Sequence, residues 1–544
     1  MFTHFLDRTL WPAITYCSFA AGVNYVINHF VSNAYLTYVY AVLALATFLF
    51  VRTFVRAVIS EYKLDRLGGR APSRRSLTPF NVNGLIEAIR YFSNNKNAEW
   101  WEMIMSRNAN KHRPFTVETI TTQMRIIFTV DQDNIKAILA SQFSDFGKGP
   151  RFREEWKEFL GLSIFTTDGE LWHDSRNLIR PQFIRDRVSD LHTFETHIQN
   201  LLPALAGTHN GATVRCDDLF YRYTLDAVTD FLLGHSVDSL RNGQAEFATA
   251  FGEVQRVQSM LARAGPLYDF IPRQSFRKGL KVLNTFVDTY IDRTLQLSPE
   301  ELEKNAKNDE SYTFLHALAG YTRDRKVLRD QLVAVLLAGR DTTAATLSWL
   351  FYELSRHPQV VKKLRDEIVN SVGTDKQPTY ADLKGMRYLQ HTLNETLRLY
   401  PAVPYNVRVA LKDTTLPRGG GPDGSEPVAV LEGTPVAYST FIMQRRADIY
   451  PSPSSSFPDV ESFAPDRWDG WTPKSWTYIP FNGGPRICIG QQFALTEMGY
   501  TVVRILQTFD RVECTMDGAP GMKADITLTN VLPINVAFFK SEQS

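Results

Sequence analysis

Apolar positions fall into two regimes along the chain. Residues 34–51, Ala-Tyr-Leu-Thr-Tyr-Val-Tyr-Ala-Val-Leu-Ala-Leu-Ala-Thr-Phe-Leu-Phe-Val, carry no charge. That is about the length at which a helix crosses a bilayer. Tyr35, Tyr38 and Tyr40 suit one headgroup boundary. Arg52, Arg56, Lys63, Arg66, Arg70, Arg74 and Arg75 follow, against only Glu61 and Asp65. This positive flank puts the bulk of the chain on the cytosolic side. No small-residue cleavage site closes a short apolar core, so the pattern predicts a retained anchor. The segment before it, residues 1–33, contains an apolar stretch at 10–31 that Asn24, Asn28 and His29 interrupt. It reads either as a second span or as a segment along the membrane surface. Residues 52–79 read as a basic linker ending in Gly-Gly-Arg-Ala-Pro-Ser-Arg-Arg-Ser-Leu-Thr-Pro.

Beyond Pro79 the second regime begins, with long helical periods and a few strands. Residues 124–130, Met-Arg-Ile-Ile-Phe-Thr-Val, predict a strand, and Asp131 opens a helix. Residues 215–300 are mainly helical, with a break at 263–272. From Asp324 to Arg356 a helical pattern runs until His357-Pro358 stops it. A helix that long measures roughly 50 Å, and an apolar one must run through a large core. Its middle breaks the local rules: Ala338-Gly339-Arg340-Asp341-Thr342-Thr343 places a glycine and paired β-branched residues where good helix formers belong. Such breaches cluster where function needs them. Residues 413–435 read as strand, turn and strand. An apolar helix runs from Gln491 to about Phe509.

Composition alters this picture little. Length alone, 544 residues, suggests three or four domains. A formal net charge of +2 gives no case for nucleic acid as a partner. The four cysteines, Cys17, Cys216, Cys488 and Cys514, are too scattered for a disulfide framework or a zinc site.

One of them stands apart. Phe481-Asn-Gly-Gly-Pro-Arg-Ile-Cys488-Ile-Gly490 is a glycine-rich turn leading into the last apolar helix. A helix N-terminus aims free N–H groups and a positive dipole end at the sulfur. A thiol so placed ionises more easily. A lone thiolate in this setting suits an axial ligand of haem iron. Trp172 and Arg176, spaced i, i+4, share a helix face and together suit a carboxylate. Glu395 and Arg398, spaced i, i+3, can pair on another. Asp341 beside Thr342 offers a carboxyl and a hydroxyl for relaying protons.

The run around Cys488 resembles the haem-binding signature of the cytochromes P-450, Phe-x-x-Gly-x-Arg-x-Cys-x-Gly, at Phe481, Gly484, Arg486, Cys488 and Gly490. Residues 338–343 are similar to the family's Ala-Gly-x-Asp-Thr-Thr, and Glu395, Arg398 and Arg467 to its Glu-x-x-Arg and completing Arg. The resemblance covers roughly Pro79 to the end. It implies one mainly α catalytic unit over 80–544 with a small β-sheet region, behind the transmembrane helix. It implies non-covalent haem b, held by Cys488, with Trp172, Arg176, Arg408 and Arg486 toward the propionates. Asp341 and Thr342 inherit the acid–alcohol role, with Gly339 leaving room for oxygen. Glu395, Arg398 and Arg467 form a buried structural network. Ala338 stands where some relatives esterify a Glu to haem, so no covalent link is expected. Residues 450–462 replace a shorter stretch and are expected on a loop away from the chemistry.

By the same resemblance the activity is monooxygenation of a lipophilic substrate. Residues 172–183, 217–226 and 413–435 resemble the fungal group that hydroxylates alkanes and fatty acids. The implied partners are O2, an NADPH-dependent reductase, cytochrome b5 and the bilayer. The implied place is the endoplasmic reticulum membrane, facing the cytosol. A sterol or secondary-metabolite monooxygenase, a haem-thiolate isomerase or dehydratase, and a non-catalytic haem-binding membrane protein stand as alternatives.

Overall fold

The computed structural model describes residues 17–18, 20–22, 25, 36–73, 78, 81–108, 113–121, 124–183, 191–242, 246–302, 312–454 and 457–540. The question of a second span at 10–31 therefore lies outside the described residues. The chain divides into two compact units, and neither is a continuous stretch. One comprises residues 1–147 and 407–438, the other 148–406 and 439–544.

The first unit begins with helix α1 (Leu36–Arg66). Its residues from Tyr40 onward are long and apolar enough to cross a membrane, and it is the one such helix among the described residues. Leu45, Phe48, Val51, Phe54 and Val55 all face outward from it, where a soluble protein would not leave a continuous apolar surface. The helix passes Val51 without a break, so residues 52–66, assigned above to the linker, are helical. At its C-terminal end Leu64 is buried and Lys63 pairs with Asp413 at 2.6 Å.

The rest of this unit centres on a five-stranded sheet in the order 116–121, 124–129, 435–439, 405–410, 146–147. Strands 124–129 and 435–439 pair in parallel, Ile127 opposite Val436. That pairing draws a segment from late in the chain into the early unit. Glu118, on strand 116–121, is fully buried, with Arg70 at 2.7 Å and Arg125 at 2.8 Å. Burial pushes its carboxyl up, but the two guanidinium groups outweigh that and hold it below the usual range.

The second unit is mainly helical. Helices used below are α2 (Gly169–Ile179), α3 (Cys216–Leu233), α4 (Glu246–Arg263), α5 (Arg325–Leu354), α6 (Arg387–Leu399) and α7 (Gln491–Thr508). Asp324 caps α5, accepting from the Lys326 and Val327 N–H groups. The 30 residues of α5 form the axis of the core. Leu347, Leu350, Phe351 and Leu354 on it join Leu389 and Leu393 of α6 and Val502, Val503 and Leu506 of α7 in one apolar cluster. Leu328, Leu332 and Leu336, nearer its start, join Phe251 and Val254 of α4 in another.

Candidate active site

The turn before α7 is built for one cysteine. Asn482 and Gly484 take φ of 60° and 67°, the left-handed region that folds the chain back. A Cβ on Gly483 would collide with the Trp476 ring at 2.6 Å. The Cys488 N–H donates to the Phe481 carbonyl at 3.0 Å, closing the loop. Gly490 is the N-cap of α7. The Cys488 side chain is exposed although protein surrounds the residue, so it is not part of the packed core. Burial pushes the thiol up; the Gly490 N–H and the Arg176 guanidinium pull it down without cancelling that. The helix end thus pulls the thiol in the direction its position implies, with burial opposing it more strongly. A cation at the sulfur, as iron supplies, would ionise it.

Around this turn the structure gathers three side chains from distant positions. The Arg486 and Arg176 guanidinium groups lie 4.7 Å and 5.8 Å from the Trp172 ring. Arg176 Nη2 donates to the Ile487 carbonyl at 3.0 Å, tying α2 to the cysteine loop. Arg486 is anchored from the other side: its Nη2 donates to Asp168 Oδ1 at 2.7 Å and to the Thr167 carbonyl at 2.9 Å. Asp168 also accepts the Lys148 and Gly149 N–H groups, both at 2.8 Å. Sequence reading missed Asp168, because nothing local ties it to a residue more than three hundred positions away. Arg408 belongs to the first unit, where it is buried, donates to the Val407 carbonyl at 2.9 Å and lies 6.0 Å from the Tyr438 ring.

On α5, every residue from Asp330 to Leu354 is buried except Ala338, Gly339, Arg340 and Thr342. An opening in the middle of a core helix marks a chamber wall. Thr342 Oγ1 donates to the Ala338 carbonyl at 2.7 Å, one turn back. Asp341 does not face that hydroxyl. Its Oδ1 accepts from Arg340 at 3.0 Å and its Oδ2 from Gln255 of α4. Burial pushes its carboxyl above the ordinary value, with Arg340 and Gln255 opposing. At Gly339 a Cβ would meet Val228 Cγ2 at 2.8 Å, so its missing side chain admits α3.

Glu395, on α6, is fully buried and richly bonded. It accepts from Arg398 at 2.8 and 2.9 Å, Arg467 at 3.2 Å, Trp468 Nε1 at 3.0 Å and the Ala464 N–H at 3.0 Å. The 450–462 stretch, expected to lie apart, completes this network. Arg467 donates to the Pro458 and Asp459 carbonyls at 3.1 and 2.7 Å, and Arg398 to the Ser462 carbonyl at 3.2 Å. Both guanidinium groups also stack near Tyr450, at 5.5 and 5.6 Å. Five donors to one carboxylate need acceptors for their remaining N–H groups, and a loop supplies them.

A second buried carboxyl escaped the sequence reading. Glu497, on α7 nine residues after Cys488, is 2% exposed and faces the Thr343 hydroxyl. Burial pushes it up to about 8. Its signal was a lone acid inside an apolar helical pattern.

A single thiol on a glycine turn, tied to α2 through the Arg176 bond to the Ile487 carbonyl and flanked by Arg176 and Arg486, has the donor set of a haem-thiolate site. The sequence profile of the cytochromes P450 matches residues 88–535. The chain is 49% identical over 537 residues to cytochrome P450 monooxygenase pvhE of Talaromyces variabilis, covering 95% of this chain and 98% of the relative. Cytochromes P450 52A13 of Debaryomyces hansenii and 52A1 of Candida tropicalis are each 44% identical, over 71% of this chain and 76% and 73% of their own. The chain belongs to the cytochrome P450 family. It is a monooxygenase whose cofactor is haem with a cysteine thiolate as axial ligand.

Proposed function

We propose that this monooxygenase hydroxylates a long-chain lipid, an alkane, fatty alcohol or fatty acid, at or near the chain end. It takes electrons from NADPH through a membrane-bound reductase, with cytochrome b5 as a further donor, and works at the endoplasmic reticulum membrane facing the cytosol. The observation that carries the substrate class is the 44% identity to cytochromes P450 52A13 and 52A1. It agrees with the resemblance of residues 172–183, 217–226 and 413–435 to the fungal alkane and fatty-acid hydroxylases. The outward apolar face of α1 supports a substrate drawn from the bilayer.

Haem, when bound, supplies the iron that activates O2 for insertion of one oxygen atom into a C–H bond. Cys488 holds it, with Phe481 and Gly490 shaping the turn. Arg176 and Arg486 would direct positive charge, and Trp172 its indole N–H, to its propionates, a role that the family resemblance also implies for Arg408. Glu395, Arg398 and Arg467 brace the cysteine side. Asp341 passes protons from water toward Thr342 Oγ1, which turns from the Ala338 carbonyl to share them.

A lipid panel tests the substrate class, read from the haem spin-state shift and from products formed with reductase and NADPH. Chain-terminal hydroxylation of C12–C18 lipids is expected, and turnover confined to sterols or aromatics would overturn it. Replacing Thr342 with Ala is expected to cut product formed per NADPH roughly tenfold or more. Undiminished coupling would remove its role.

A further inference from the structure

Asp341 is the proton-carrying acid of the reading above, and both its oxygens are already engaged. Gln255 Nε2 donates to Oδ2, and Arg340 Nη1 donates to Oδ1 at 3.0 Å. The third side of the triangle also closes, since Arg340 Nη1 reaches Gln255 Oε1 at 3.3 Å. Arg340 has little freedom to leave: its guanidinium lies 5.1 Å from the Tyr221 ring and 5.3 Å from the Phe251 ring. Arg340 is a neighbour in sequence, so its contact comes with α5. Gln255 is eighty-six positions away on α4, and its contact exists only because α4 crosses that point.

We propose that Gln255 is the positioning residue for Asp341: its amide and Arg340 together fix where the carboxylate points, and hence whether a proton reaches Thr342. The proposal rests on the acid role given to Asp341. An amide suits the task. It donates to the carboxylate and accepts from the guanidinium at once, so it closes the set without adding charge. A carboxylate with two donors from different helices has one orientation. With one donor it can rotate about its own side-chain bonds.

The groups that face Asp341 are few. α5 gives Arg340, and α4 gives Gln255. α3 gives Tyr221, whose hydroxyl is raised well above its ordinary value by burial first and Asp341 next. That hydroxyl bonds the Thr527 side chain, and Asp217 of α3 lies within its field. Burial raises the Asp341 carboxyl and the Gln255 hydrogen bond lowers it. Removing that bond therefore moves the acid further up, so any acid limb of coupling that reports its ionisation moves to higher pH.

Three variants test this: Gln255→Leu, Gln255→Glu and Asp341→Asn. All are measured as haem-loaded, reductase-coupled protein with a lauric acid probe between pH 6 and 9. Gln255→Leu is expected to lower product per NADPH roughly tenfold, the worth of one hydrogen bond to a charged group. KM should be unchanged and the acid limb shifted upward. Gln255→Glu should couple well at pH 6, where the introduced carboxyl can donate a proton, and fail at pH 9, where two carboxylates face each other. That contrast is read within one protein sample, so it survives a loss of folding in the Leu variant. A thermal double-mutant cycle between Gln255→Leu and Asp341→Asn gives a readout independent of turnover, and non-additive midpoints are expected. Wild-type coupling in Gln255→Leu, no pH contrast in Gln255→Glu, or additive midpoints would overturn the proposal while Asp341→Asn still uncouples. If Asp341→Asn itself couples normally, the acid role of Asp341 falls, and the proposal with it.

Discussion

Glu395 and Glu497 invite comparison, since both sit on core helices of the same unit at 0% and 2% exposure. Glu395 meets two guanidinium groups, an indole N–H and a backbone N–H. Glu497 meets a threonine hydroxyl, and burial pushes it up to about 8. Burial alone thus says little about a carboxyl; the donors around it decide whether it carries charge. The first is a brace that fastens α6 to the 450–467 segment. The second is a carboxyl that burial raises to about 8, beside Thr343, the residue after Thr342 on α5.

The strongest way to break the contrast is Glu395→Ala. It strands two buried guanidinium charges and is expected to cost about 3–5 kcal/mol. Unfolding midpoints and haem content of the purified protein check it, and a variant with normal haem loading would mean that the network braces nothing. Glu497→Gln should act in the opposite direction and only with pH. A carboxyl raised in the folded state contributes most below its unfolded value near 4.5, and that contribution is lost as pH rises toward about 8. The stability of the Gln variant relative to wild type should therefore climb across that window, with a ceiling of roughly 4–5 kcal/mol. A difference that stays flat from pH 4.5 to 8 would show that Glu497 is not held protonated. The smallest effect sharpens the same point. Thr343→Val removes the hydroxyl that holds Glu497 down. It should cost about 1 kcal/mol and move the window upward, whereas an unmoved window would assign the downward pull to another group.

Some of this was visible before any fold. The run from Phe481 to Gly490 could be read as a turn because glycine, proline and a following helix act within a few residues of one another. The long axis helix and the outward apolar helix were legible for the same reason, as periodicity and length are local. The first was placed at Asp324–Arg356 and runs Arg325–Leu354. The second was expected to stop at Val51 and continues to Arg66, because Arg and Lys on an exposed helix do not end it.

What surrounds the functional side chains was not local. Asp341 and Thr342 are adjacent in sequence, but successive helical side chains point about 100° apart. Thr342 turns to its own helix and Asp341 to α4. Asp168 engages Arg486 across 318 positions, and the 450–462 stretch, expected on a loop away from the chemistry, serves the arginines of the structural network. The order of residues determined the thiol, its turn, the outward apolar helix and the adjacent carboxyl and hydroxyl of Asp341 and Thr342, since each is a matter of spacing along the chain. Only the folded chain decided which carboxyl is matched by charge and which is left with a hydroxyl, because dielectric and donors are properties of neighbours in space.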